Sequence, residues 1–335
     1  MTHSSINGFI NLNKPATWTS HDCVARVRRL LNTRKVGHAG TLDPLATGVL
    51  PLAVGRATRL IQYLPPAKAY RAVIRFGMTT ATDDLEGEVL MRQSAAHLQL
   101  ADIEALLPKF TGTLSQLPPM YSAIQVEGKR LYDLARQGKT ADVPLRQVTI
   151  HRLVSRLWQG GEQPALTLDI DCGPGTYIRS LARDLGVAAG TGATLAGLVR
   201  SHSNGFDLAN SLTLEALEQA VNEETLALVP VEKGVRHLSA IALPPTLAQR
   251  WCMGQKLALD QVLAEITAEV VSDVQKIEKL ETTRSADGLC SPPIRITGDD
   301  KFLGIGEVRT VPSLADKQDL PHKILAAKAV FAAID

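Results

Sequence analysis

The stretch GHAGTLDPLATGVL, residues 37–50, sets one histidine and one carboxylate, His38 and Asp43, among small, apolar and backbone-special residues. Gly37, Gly40 and Gly48 permit positive φ or close backbone approach. Pro44 biases Asp43 toward an extended backbone and sets the turn that follows. The apolar run Val49, Leu50 and Leu52 anchors the loop. The pattern presents one carboxylate rigidly. From the residues alone two readings stay open. Asp43 caps a turn, as Asp before Pro often does, or it is a working group on a loop held by a rigid scaffold. His38 is likewise either an ordinary hydrogen-bonded loop histidine or part of a site.

Working outward, GFINLN (8–13) reads as a strand ending at Lys14-Pro15, and Thr19 or Ser20 as the cap of a helix over 21–32 with Val24, Val27 and Leu31 as its apolar stripe. Residues 33–48 read as glycine-punctuated loop. AYRAVIRFGM (69–78) alternates, with Tyr70, Ala72, Ile74 and Phe76 on one face of a strand and Arg71, Val73 and Arg75 on the other. A helix is expected over 102–110, a strand, Gly128 turn and basic-faced helix over 120–139, and strands over 147–158 and 165–172. GPGTY (173–177) leads into a helix reaching about 187. Tyr177 and Arg179 stand at that junction, and they can face one site only where the backbone is still extended. A helix follows over 213–221, then a linker over 228–245, and KFLGIGEVRTV (301–311) reads as a glycine-kinked strand.

The 335 residues suffice for two or three domains. Residues 1–80 hold eleven Lys/Arg against Asp22 and Asp43, a local +9 in a chain whose net charge is +2. Such a lobe is either a solvated basic face or a footprint for a polyanion. No apolar run approaches the ~20 residues of a membrane span, and no secretory leader is visible. The four cysteines are widely spaced, which favours a reducing compartment over disulfides or zinc. GPGTYI lacks the third glycine of a dinucleotide loop, since Ile178 stands there. There is no phosphate-binding G-x-x-x-x-G-K-[ST] loop, no metal-ligand spacing and no G-x-S-x-G elbow. The irregular interleaving of elements implies an α+β core with a mixed sheet, then a small β-rich domain.

GHAGTLDPLATGVLPLAVGRATRL (37–60) closely resembles the central motif of the tRNA pseudouridine synthase B family, whose members make pseudouridine at position 55 in the TΨC loop of tRNA. NLNKPATWTSHDCV (11–24), AYRAVIRFG (69–77), PPMYSAIQVEGKRLYDLARQG (118–138), CGPGTYIRSLARDLG (172–186) and LAGLVRSHSNGF (195–206) resemble further motifs of that family. Together they cover roughly residues 8–210. The resemblance implies a pseudouridine synthase core with a mixed, largely antiparallel sheet flanked by helices over 1–235. It implies a small PUA-like RNA-binding domain over 240–335, in which 258–290 reads as an insertion. It makes Asp43 the catalytic aspartate, with Tyr70 stacked on the target base near C5. Tyr177 and Arg179 complete the pocket, Arg179 pairing with Asp43. Leu198 packs beside the base, Arg200 lies near the site, His38 fills or supports the gap left by the flipped nucleotide, and Lys14 is structural or faces the RNA. Gln125 departs from the family, which commonly has lysine there.

The resemblance also implies no cofactor, no metal, no required protein partner, and a cytoplasmic monomer acting on the TΨC stem-loop of tRNA. The chemistry suits such a site. Isomerisation breaks the N1–C1′ bond of uridine and joins C5 to C1′ without net redox change. One carboxylate can serve as nucleophile or base at the sugar. A glycosidase would need two flanking carboxylates, and the sequence around Asp43 offers no second acid. A base hidden in a folded loop must be flipped out, at a cost of roughly a few kcal/mol. A tRNA-folding chaperone, or the same chemistry on another RNA, are the alternatives.

Overall fold

Strand β1 (Gly8–Lys14) is buried along nearly its whole length. The structure is a computed structural model and describes residues 6–121, 125–126, 129–130, 143–265, 283–285, 288–311 and 322–331. After β1, Thr19 caps helix α1 (Ser20–Leu30): the Asp22 amide donates to the Thr19 hydroxyl and the Thr19 amide to the Asp22 carboxylate. This reciprocal box satisfies two end amides. The helix buries Cys23, Val24 and Val27 and turns Arg28 and Arg29 outward. The expected loop over 33–48 contains a short strand, β2 (Val36–His38), which pairs with β3 (Thr47–Val54).

β4 (Lys68–Phe76) alternates as its sequence predicts, burying Tyr70, Ala72, Ile74 and Phe76 and exposing Arg71. A ribbon of β5 (Met78–Thr80) and β6 (Val89–Arg92) follows. The helix expected over 102–110 divides into α2 (Leu100–Glu104) and a 3-10 turn, Leu107–Phe110, with Pro108 near the turn's start removing an amide. β7 (Gly112–Gln116) is followed by β8 (Gln125–Val126) and β9 (Lys129–Arg130), which pair as a hairpin. The basic-faced helix expected beyond it and the side chain of Gln125 lie outside the described residues. β10 (Arg146–Gln159) and β11 (Ala165–Cys172) precede helix α3 (Ile178–Ala188), then β12 (Ala193–Ser203) and β13 (Phe206–Asp207).

These strands form one sheet in the order β1-β3-β12-β4-β11-β10-β7, with β2 beside β3 and β13 beside β12. Only the β12–β3 contact is parallel among its described pairs, so the sheet is mixed and largely antiparallel. β12 pairs on both sides, with bulges between Leu195 and Gly197 and between Arg200 and His202. Its polar, glycine-broken sequence hides it from an alternation reading. Gly48 is required where β3 meets β12. Its φ is +102°, and a Cβ there would fall 2.3 Å from the Arg200 carbonyl oxygen.

A second sheet is built from β14 (Ala240–Ala242), β15 (Leu257–Ala258), β16 (Thr283–Ser285), β17 (Gly288–Cys290), β18 (Ile294–Gly298), β19 (Lys301–Val311) and β20 (His322–Val330). Its core gathers Ile241, Leu247, Trp251, Ile294, Ile296 and Leu325. Leu259 and Val262, at the start of the segment expected as an insertion, are buried in this core. Residues 266–282 lie outside the described residues. A third apolar cluster joins the two sheets: Phe9, Leu60 and Leu64 from the first part of the chain meet Val231, Val235, Ile305 and Ala329. Arg56 and Arg59 donate across this seam to the carbonyls of Phe331 and Val330.

Candidate active site

The carbonyls of the Asp43 loop from Gly40 to Pro44 are each held by a donor. Arg200, with none of its surface exposed, donates from Nε to the Val49 carbonyl (2.7 Å), from Nη1 to Thr41 (3.2 Å) and from Nη2 to Gly40 (3.1 Å). The buried Ser20 hydroxyl donates to the Leu42 carbonyl (3.2 Å) and accepts from the Leu42 amide (2.8 Å). Lys14, also wholly buried, donates from Nζ to the carbonyls of Pro15, Trp18 and Pro44. The Thr17 amide donates to Pro44 as well. Within the loop the Ala46 amide donates to the Asp43 carbonyl at 3.1 Å, closing a turn with Pro44 at its second position. The turn reading was therefore right about the backbone. The carboxylate is not spent on capping and points to Arg179.

Arg179 is buried, and its side chain links two carboxylates. Nη2 donates to Asp43 Oδ1 at 3.2 Å, and Nε lies 3.0 Å from Asp43 Oδ2 without hydrogen-bond alignment. Nε is also 3.6 Å from Asp84 Oδ2. Two further donors go to the carbonyls of Thr82 (Nη1, 3.0 Å) and Tyr121 (Nη2, 2.9 Å). Asp84 is 3% exposed, and its Oδ1 accepts from the Thr82 hydroxyl and the Glu86 amide. A second acid thus comes to Asp43 through space, contrary to the local sequence. Asp84 does not line the cleft; it acts as a buried counter-ion that fixes Arg179. Removing one partner of such a buried set typically costs ~3–5 kcal/mol. The signal for Asp84 was faint: one acid among several in a turn, 41 residues from Asp43.

Tyr177 is the N-cap residue of α3 with φ −99° and ψ 112°, the extended backbone that a shared Tyr177–Arg179 site requires. Gln116 on β7 holds it by both backbone groups: its amide donates to the Tyr177 carbonyl at 3.0 Å and accepts from the Tyr177 amide at 2.8 Å. Tyr70 stands opposite Arg200 on β12 and Ile170 on β11. Burial raises its phenol above the ordinary range, while the neighbouring Arg200 guanidinium pulls it down. The ring is neutral near pH 7.

Asp43, Tyr70, Tyr177, Arg179 and Leu198 line one cleft of about 220 Å³, with Thr41, Lys68 and Thr176 at its sides. That is below the ~300–1,000 Å³ typical of drug-sized ligands, so the cleft suits one ring system. Asp43 keeps about a third of its side chain exposed there. Three residues expected at the substrate are not in the lining. Lys14 and Arg200 have no exposed surface and serve as tethers, because a guanidinium or ammonium surrounded by loop carbonyls cannot also reach a ligand. His38 sits on β2, edge-on to His21 with ring centroids 5.4 Å apart. Burial, then the charges of His21 and Arg200, lower its pKa, so it is neutral near pH 7. Lys68 lines the cleft but was missed, because a lone Lys before a strand looks like any surface cation.

The basic lobe is partly neutralised in space. Arg26 pairs with Glu218 and Arg71 with Asp169. Arg29, Arg34 and Lys35 remain exposed. Among the described residues no helix is long and apolar enough to cross a membrane.

A profile described as TruB family pseudouridylate synthase (N terminal domain) matches residues 28–178. The chain is 48% identical over 305 residues to tRNA pseudouridine synthase B of Trichormus variabilis, covering 91% of this chain and 96% of the relative. It is 57% identical over 302 residues to the protein of the same name from Acaryochloris marina, covering 90% and 94%. Among solved structures it resembles a chain of a Cbf5-Nop10-Gar1 complex, with a TM-score of 0.67 at 25% identity over 97% of this chain and 85% of that one.

Proposed function

The chain belongs to the TruB family of pseudouridylate synthases, and on that premise we propose that it isomerises uridine 55 in the TΨC loop of tRNA, with Asp43 as the catalytic residue. The observation that carries the reading is the one cleft-lining carboxylate among the described residues, on a turn tethered through its carbonyls, held by Arg179 and walled by Tyr70, Tyr177 and Leu198. Asp43 acts on the glycosidic linkage as nucleophile or base, the N1–C1′ bond breaks, the base turns, and C5 bonds to C1′. The C5 proton leaves and N1 gains one, so atoms balance without an external reagent. Tyr70, a neutral phenol, supplies the stacking face. Leu198 excludes water on the opposite wall. Arg179 orients the carboxylate, and Asp84 and Gln116 hold Arg179 and Tyr177 in place.

The remaining expectations belong to the same proposal. The second sheet serves as the PUA-like RNA-binding part, exposed Arg29, Arg34 and Lys35 contribute phosphate contacts, and the enzyme works as a cytoplasmic monomer. His38 fills or supports the gap that the flipped nucleotide leaves. Phosphate contacts make binding weaken with salt. The test is pseudouridine formation on a tRNA transcript, read by nucleoside mass analysis. Asp43→Asn is expected to retain tRNA binding and to lose at least a thousandfold in rate. Undiminished turnover by Asp43→Asn would remove Asp43 from the reaction. Pseudouridine appearing only at another position would overturn the substrate.

A further inference from the structure

Among the described residues, Lys68 is the one cleft-lining cation that the reaction above does not use. It lies two residues before Tyr70 on β4, so alternation puts both side chains on one face, about 6.6 Å apart along the strand. Its strand neighbours are Cys172 and Ser203. The ammonium lies beside Gly40, where a Cβ would come 3.4 Å from Nζ and 3.8 Å from Arg200 Nη1. Gly40 has φ +119°, so the loop runs close to this cation with no side chain between.

Among the described residues Lys68 has no hydrogen-bond or ion-pair partner. The Cys172 thiol is pushed up to about 11 by burial and is neutral. Arg200 is a like charge, and Asp43 is engaged by Arg179. Burial first, then Arg200, holds the Lys68 ammonium below its ordinary range. A partly desolvated cation without a partner is unfavourable. A cleft that keeps one there is arranged for an anion that arrives with the ligand.

We propose that Lys68 binds a phosphodiester flanking the flipped nucleotide, forming an anion subsite one residue-pair along β4 from the base-stacking Tyr70. The proposal rests on RNA being the substrate. The subsite converts the cost of the unpaired cation into affinity that appears only once the nucleotide has left its stack. Lys68 therefore favours the flipped state over the stacked one.

The experiment uses the full chain and a TΨC stem-loop RNA carrying one neutral methylphosphonate linkage at a time around the target uridine. For the wild type, neutralising one flanking linkage is expected to weaken binding about tenfold or more, as loss of a charge-assisted contact does. Lys68→Met is expected to bind the unmodified RNA about that much more weakly and to be insensitive at that same linkage. The slope of log Kobs against log salt should flatten by about 0.7 in the variant, one contact's worth for a single strand. Lys68→Arg should restore slope and linkage sensitivity. Because an unpartnered cation is removed, Lys68→Met should melt at or above the wild-type temperature. Equal linkage sensitivity in wild type and Lys68→Met overturns the subsite, as does a lowered melting temperature, which would mean a structural partner. If the wild type fails to bind the stem-loop at all, the RNA reading itself is overturned, a result separable from the variant comparison.

Discussion

Ser20→Ala deletes one oxygen atom and tests whether the tethers of the Asp43 turn matter for turnover. Ser20 is 1% exposed, and its hydroxyl serves both the amide and the carbonyl of Leu42, at 2.8 and 3.2 Å. Leu42 is the residue immediately before the catalytic candidate. Removing the hydroxyl leaves two buried backbone groups unpaired, at about 1–3 kcal/mol each if nothing moves. The loop can recover part of this by shifting toward water, and that shift carries Asp43 with it. Its other ties, Arg200 at Gly40 and Thr41 and Lys14 at Pro44, hold the loop to within a small displacement. A displacement near 1 Å costs on the order of a hundredfold in a positioned reaction. The expected result is a stability loss of about 2 kcal/mol in denaturant, a KM within twofold of wild type and a kcat lower by roughly ten- to a hundredfold. Single-turnover pseudouridine formation at saturating enzyme, beside urea unfolding of the same preparations, reads both. A Ser20→Ala enzyme that loses the stability but keeps full kcat would refute the idea that the Leu42 tether positions Asp43.

Three further outcomes follow from the same geometry. Gly48→Ala places a methyl group 2.3 Å from the Arg200 carbonyl at a left-handed backbone position, so it should destabilise by more than about 3 kcal/mol and appear as a lowered melting temperature or insoluble expression. Burial raises the thiols of Cys23 and Cys172 to about 11, so a thiol reagent at pH 8 should leave both unmodified in the native enzyme while half-exposed Cys252 reacts first, as peptide mapping would reveal. His38 is held below its ordinary 6.5 by burial, so the unfolded chain binds its proton first as pH falls. Stability from this group is present above pH 6.5 and is lost as pH drops below it. His38→Gln should therefore show a shallower loss of stability between pH 7 and 5, and identical slopes would remove His38 as the cause.

The elements nearest the motifs were legible because local rules set them. β4 followed its alternation, α1 its capping residues, and Tyr177 the extended backbone demanded by a Tyr-x-Arg pair meeting one site. β12 was not legible. Its glycine, its bulges and its buried Arg200 break the pattern, and its place at the sheet's centre rests on partners far along the chain. Of the two readings open for Lys14, the structural one matches its place, while Arg200, expected near the site, sits behind the loop; both are fully buried against loop carbonyls, which spacing along the chain does not reveal.

By itself the sequence determined the chemistry available: one rigidly presented carboxylate, two tyrosines, an arginine two residues after one of them, and a mixed α+β scaffold to carry them. Those follow from residue types at short spacing, where backbone preference and side-chain reach act within a few residues. The tertiary structure decided which charges face the cleft and which are consumed in holding it. Asp84 became a second counter-ion of Arg179, and Lys68, without a partner among the described residues, a cation beside Tyr70. Those assignments depend on strand order and burial, because the cost of a charge is set by what surrounds it in space and not by its neighbours in the chain.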